Sequence, residues 1–264
     1  MVSIHSIQSN PSISSVSNSS ALQNIASGNR INSAADDAAG LAISQKALSQ
    51  ETGQAVAAKN TQDTVSVLQV ADGALNSTHS MLQRMRELAA QASNGIYTDS
   101  DRKLLQTEFN QLKEQITKVG NDTNFNTHKL LDGSLELVTQ VGANGGQNKS
   151  IAIGDMRSDA LGISSLSLSS AQGANDALSA LDKAIETVSS QRAAIGAETN
   201  ALTHTYNNLR VSEENQQAMR SRISDADIAK ESMRLAQEKI MQNIQFSVQA
   251  IGMQNAANVL HLLR

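Results

Sequence analysis

Few side chains in this sequence stand where they could do chemistry together. The histidines, His5, His79, His128, His204 and His261, include no two at the three- or four-residue spacing that would aim both at one metal ion. No His-Glu-x-x-His, no Gly-x-Ser-x-Gly and no phosphate-cradling glycine loop occurs; the glycines from Gly142 to Gly146 read as a hairpin turn. Asp36-Asp37 is the one adjacent carboxylate pair in a setting that invites attention. Lacking further ligands at useful spacing, it reads as helix-start charge favoured by the dipole rather than as a metal or acid site. Cysteine is absent, which removes thiol nucleophiles, cysteine metal sites and disulfides together. The chain is predicted to be non-catalytic and to need no cofactor and no metal.

What remains is packing. Aromatic residues are 2% of the 264, with no Trp, while hydrophobic content is 39%, mostly Ala, Leu, Ile and Val, which suit narrow helix–helix seams. Pro11 is the only proline, so almost nothing interrupts helices beyond it. A net charge of −4, with no basic cluster interleaved with aromatics, argues against nucleic acid as a partner. The longest uncharged stretch near the end, Ile240 to Leu263, carries seven Gln or Asn residues, so membrane insertion is not expected. Met1 to Ile13 lacks both a basic and a continuous apolar region, so no cleaved signal is expected and export needs another route.

Charge and periodicity divide the chain. The first 29 residues carry no Asp, Glu, Lys or Arg, and ten of them are Ser; Ile240 to Leu263 is uncharged again. Two uncharged ends predict a shared environment, with order gained on association. Between them, Leu181, Val188, Ile195, Leu202 and Leu209 recur every seven residues. The series three residues earlier, Leu178, Ile185, Arg192, Thr199 and Tyr206, makes the second row of a coiled-coil seam. Leu105, Phe109, Leu112, Ile116 and Val119 form another stripe; Leu68, Leu75, Leu82 and Ala89, with Met81, Met85, Leu88 and Ala92 beside them, a third. Asn94-Gly95 ends that helix, and Thr98 to Asp101 supplies caps for the next. Leu135, Leu137 and Thr139 alternate with Glu136, Val138 and Gln140, and after the turn Ile151 and Ile153 alternate with Ala152, which predicts a β-hairpin at about 134–155. The fold class is therefore mainly α: a long antiparallel helical hairpin with a small β-hairpin at mid-chain.

The order of motifs resembles bacterial flagellin. It runs from Ser27-Gly28-Asn29-Arg30-Ile31-Asn32 through Asp36-Asp37 to Gly40-Leu41-Ala42-Ile43, then through Leu82-Gln83-Arg84-Met85-Arg86-Glu87-Leu88-Ala89. It continues in Asn124-Phe125-Asn126, Lys129-Leu130-Leu131-Asp132-Gly133, Ser224-Asp225-Ala226-Asp227 and Asn258-Val259-Leu260-His261-Leu262-Leu263-Arg264. The resemblance implies an inner assembly domain from residues 1–39 and 222–264, whose termini form a coiled coil on assembly. It also implies a helical bundle over 40–221, with no room from Asp155 to Ala171 for a large outer domain. Ala256-Ala257 stands where many relatives carry a proline, which predicts that the last helix runs on.

The function implied is a structural subunit of the flagellar filament, secreted, extracellular, assembled at the distal tip and serving motility. The implied self-association residues are Arg30, Asn32, Asp36 and Asp37 in the connector and Ile240, Ile244, Val248, Ile251, Leu260 and Leu263 near the end. Implied partners are copies of itself, flagellar cap and junction proteins, and an export chaperone on the carboxyl-terminal helix. Gln83, Arg84, Leu88, Gln91 and Glu108 match by motif a surface that implies recognition by a vertebrate flagellin-sensing Toll-like receptor. Arg84 and Leu88, four apart, are expected to face such a partner together. The alternatives are a hook–filament junction protein and a cytoplasmic signalling coiled coil of the chemoreceptor type.

Overall fold

The computed structural model describes the backbone of residues 20–262 and the side chains of residues 20–255. The described chain opens in helix α1 (20–27). It continues through α2 (Ala38–Ser93), α3 (Asp99–Asp122), strands β1 (Asn124–Phe125), β2 (His128–Lys129), β3 (Glu136–Gln140) and β4 (Asn148–Ala152), then α4 (Ala171–Ser224) and α5 (Ile228–Leu262). The described residues divide into two compact units, one of 20–50 with 214–262 and one of 51–213.

Each long helix starts on a short polar side chain that takes up an unpaired amide of the first turn. Asp37 Oδ1 accepts from the Gly40 amide at 2.8 Å, and Asp227 Oδ1 from the Lys230 amide at 3.1 Å. Ser170 Oγ accepts from the Gly173 amide at 3.1 Å. Thr98 heads α3 in a reciprocal cap: its hydroxyl accepts from the Asp101 amide while the Asp101 carboxylate accepts from the Thr98 amide at 3.0 Å. The predicted break at Asn94-Gly95 and the cap after it are both where the sequence puts them.

In the unit of residues 51–213, α2 and α4 run antiparallel. Arg192 Nε donates to Asp72 Oδ1 at 2.9 Å and Arg86 Nε to Asp182 Oδ1 at 2.6 Å. The predicted rows fill the core: Leu68, Leu75, Leu82, Met85 and Leu88 from α2, Phe109 and Ile116 from α3, Leu181, Val188, Ile195 and Leu202 from α4, all buried. Arg192 and Thr199 interrupt the second row of the seam; Arg192 is tolerated there because Asp72 meets it half in solvent.

The hairpin β3–β4 is antiparallel, pairing Leu137 with Ile151 and Thr139 with Lys149. Its inner face carries Thr139, whose hydroxyl shares a buried 2.8 Å hydrogen bond with that of Thr64 on α2. At its turn Ala143 packs so closely on Gly53 of α2 that a Cβ there would lie 2.8 Å from that of Ala143. A second, two-residue hairpin, β1–β2, is absent from the sequence reading. It turns on Asn126 and Thr127 at φ 47° and 70°, a conformation a β-branched residue rarely adopts and composition does not advertise. Beyond β4, the stretch before α4, rich in serine, sends Ile163 and Leu168 fully into the core.

Candidate functional site

Among the described residues no group of three or more His, Asp or Glu stands together as a metal could require. The candidates are surfaces, and there are three.

The first is the connector between α1 and α2. Gly28, at φ 71°, closes α1 by donating its amide to Asn24 at 2.9 Å, a backbone turn that costs glycine nothing. The chain then pairs with the α4–α5 junction: the Arg30 amide donates to the Ser224 carbonyl at 2.6 Å, the Ala226 amide to that of Gly28 at 2.9 Å. The Arg30 guanidinium adds a 2.6 Å bond to the Ile223 carbonyl. Asn32 donates to Asn24 Oδ1 at 2.7 Å and to the Asn29 carbonyl at 3.0 Å. Asp36 Oδ2 accepts from the amides of Ser33 at 2.8 Å and Asn32 at 3.0 Å, and from the Ser33 hydroxyl. Those bonds, the Ser33 amide first, hold the Asp36 carboxyl below its ordinary value. Arg30, Asn32, Asp36 and Asp37 thus come together in one connector, and each is engaged within the chain, shaping the turn that feeds α2.

The second is α5. Ile240, Ile244, Val248 and Ile251 are 58%, 50%, 62% and 58% exposed, and Phe246 is 68% exposed. A helix that leaves so much apolar surface in water, while the face of Glu231, Leu235, Glu238 and Gln242 is partly covered, is the unusual observation among the described residues. No helix among the described residues is long and apolar enough to cross a membrane. The helix passes through Ala256-Ala257 unbroken, as predicted. Leu260 lies in the part of α5 whose side chains are outside those described, and Leu263 lies outside the described residues.

The third is the outer face of α2 and α3. Arg84 Nε donates to Glu108 Oε1 at 2.8 Å and Nη1 to Glu87 Oε2 at 3.0 Å, all exposed. Glu108, then Glu87, raises the guanidinium above its ordinary value. Gln83 pairs with His79 at 2.9 Å, and Gln91 Nε2 donates to Tyr97 Oη at 2.8 Å. Leu88 does not join them. It is 1% exposed, because its row is the one that packs on the bundle; the expectation that Arg84 and Leu88 face one partner together is corrected. The Gln91–Tyr97 contact, which ties the α2–α3 turn to the helix, is legible only once that turn is folded.

Residues 2–136 match the bacterial flagellin N-terminal helical region and residues 178–263 the bacterial flagellin C-terminal helical region. A flagellin of Halalkalibacterium halodurans is 41% identical over 247 residues, spanning 92% of this chain and 91% of that protein. The flagellar filament 33 kDa core protein of Treponema phagedenis is 37% identical over 260 residues, again 92% of this chain and 91% of the relative. The crystal structure of Bacillus cereus flagellin superposes with a TM-score of 0.52 at 32% identity, covering 57% of this chain and 88% of that one.

Proposed function

Because this chain belongs to the bacterial flagellin family, and is a structural subunit of the flagellar filament without a large outer domain, we propose that α5 is the element through which its copies are joined. The exposed, uncharged run of Ile240, Ile244, Val248 and Ile251 carries this reading. Apolar area of that size is stabilised only by a partner, at about 25 cal/mol per Å² removed from water. Residues 1–39 with 222–264 act as the assembly domain, and the uncharged amino-terminal segment is the natural first cover for α5. A subunit that repeats one non-closing contact produces a helical polymer. The connector, with Arg30, Asn32, Asp36 and Asp37 fixed within the chain, sets how the assembly domain leaves α2.

Before assembly the same apolar face needs shelter, which is the role of an export chaperone on α5. Growth at the distal tip then brings in cap and junction proteins as neighbours. Recognition by a vertebrate flagellin-sensing Toll-like receptor belongs to the outer face: Arg84, Glu108, Gln83 and Gln91 present its charged and amide groups, with Leu88 acting from within by holding α2 in place.

The test is electron microscopy of seeded monomer, comparing the intact chain with one lacking residues 1–25 and 240–264. Long filaments from the first and none from the second are expected. Filaments from the truncated chain would remove α5 and its amino-terminal cover from the assembly contact.

A further inference from the structure

Two methionines lie in the core and three stand most exposed on α5, with Met219 of α4 between them at 39% exposure. Met85 and Met156 lie in the bundle core at 0% and 4% exposure, whereas Met233, Met241 and Met253 of α5 are 61%, 54% and 63% exposed. The chain has neither Cys nor Trp, so an exposed thioether is its most readily oxidised side chain.

We propose that Met233, Met241 and Met253 form an oxidation site whose state decides whether α5 can be packed into the polymer. This rests on the reading that α5 is the joining element. The sulfur attacks one oxygen of a hydroperoxide; an S–O bond forms, the O–O bond breaks, and the departing oxygen takes up a proton and leaves as water or alcohol. The thioether is oxidised by two electrons and the peroxide reduced by two, so no further reactant is needed.

Helical spacing gives the site its leverage. Met233 stands seven residues before Ile240 and shares its row, and Met241 lies three and seven residues before Ile244 and Val248. Met253 follows Phe246 by seven residues, on the opposite side of the helix. Both apolar rows of α5 therefore carry a methionine, and whichever row a partner covers must take one in. Oxidation turns that flexible apolar side chain into a polar one. A sulfoxide buried in such a seam without a donor opposes packing. Reduction restores the thioether, so the change is reversible.

The full chain is treated with hydrogen peroxide before or after seeded polymerisation. Sulfoxides are mapped by peptide mass spectrometry and polymer is measured by pelleting and electron microscopy. In the free chain, Met233, Met241 and Met253 should oxidise about ten-fold faster than Met85 and Met156, and assembled filaments should protect them. Oxidised chain should need about ten-fold more protein to polymerise, and methionine sulfoxide reductases should restore it. Whatever protein concentration the variant M233L/M241L/M253L needs to polymerise, that concentration should be the same before and after peroxide. The proposal is overturned by equal oxidation of buried and α5 methionines. It is equally overturned by undiminished polymerisation of the oxidised chain, by failed rescue with the reductases, or by a Leu variant that peroxide still disables. The untreated chain with and without residues 240–264 reports separately on the packing of α5: a truncated chain that polymerises overturns that reading, whatever peroxide does.

Discussion

Arg102 of α3 donates through Nε to the carbonyl oxygen of Ala92 at 2.9 Å, and through Nη2 to that of Asn94 at 3.2 Å, so one helix's side chain closes the end of another. The residue is buried, 7% exposed, in a position where an arginine is expected in solvent. Its contacts occupy the Ala92 carbonyl, which the last turn of α2 leaves without a helical partner, and the Asn94 carbonyl just beyond, which also accepts from the Tyr97 amide at 3.3 Å.

Removing that side chain should cost more than a surface arginine does. Arg102→Ala leaves the buried Ala92 carbonyl without that donor, and a loss of about 2 kcal/mol is expected. Arg102→Lys should recover only part, because a single ammonium cannot span both acceptors. Urea midpoints of the three chains, at unchanged slope, measure both effects. A loss for Arg102→Ala below about 0.5 kcal/mol, ordinary for surface substitutions, would show the contact to be idle.

Two glycines within α2 should answer the same substitution with opposite signs. At Gly73 nothing lies within 4 Å of a built Cβ, so Gly73→Ala should stabilise by about 0.8 kcal/mol through helix propensity alone. At Gly53 the same methyl would stand 2.8 Å from the Cβ and 3.2 Å from the Cα of Ala143. Gly53→Ala should therefore destabilise by about 2 kcal/mol as the hairpin turn is pushed off α2. Thermal and urea unfolding of both variants decide it; two stabilised proteins would mean that the hairpin yields freely.

Acid should weaken the fold through its caps and turns. Asp101 is held below its ordinary value by the Thr98 hydroxyl and then the Thr98 amide, Asp132 by the Ser134 hydroxyl and then its amide, and Asp155 chiefly by Arg157. Asp36 is lowered in the same way by Ser33 and Asn32. A lowered native value means that the unfolded chain binds more protons as pH falls, so this stabilisation is complete well above about pH 4 and is lost as pH drops through the native values. Urea midpoints should hold level from neutrality to about pH 5 and then decline. Asp101→Asn should make the decline shallower; an unchanged slope would mean that the cap does not titrate with folding.

The long helices were legible because their information is periodic. Leu181 to Leu209 and Leu68 to Ala89 repeat an apolar position every seven residues, and that repeat survives any detail of the loops. The β3–β4 hairpin was legible for the same reason at a period of two. Arg102 was not, because its partners are main-chain carbonyls ten and eight residues away across a turn, and a carbonyl leaves no mark in composition. Nor was Thr127, a residue type that argues against the turn it makes. Of the candidate site residues, Leu88 belonged to two patterns at once, a surface motif and a core row. Burial chose the row, since a Leu side chain in the seam removes apolar area that an exposed one leaves in water.

A seam built on an exact repeat is degenerate: sliding one helix by seven residues restores every apolar contact but those at the ends. Arg192 and Asp72 remove that degeneracy. After such a slip Arg192 would stand near Val65 or His79 in place of its carboxylate, and Asp72 would lose the guanidinium it pairs with. With Arg86–Asp182, which the same slip would break, this half-exposed ion pair, worth little as an attraction, works as an index mark, holding α2 and α4 to a single phase when neighbours in a polymer pull along them.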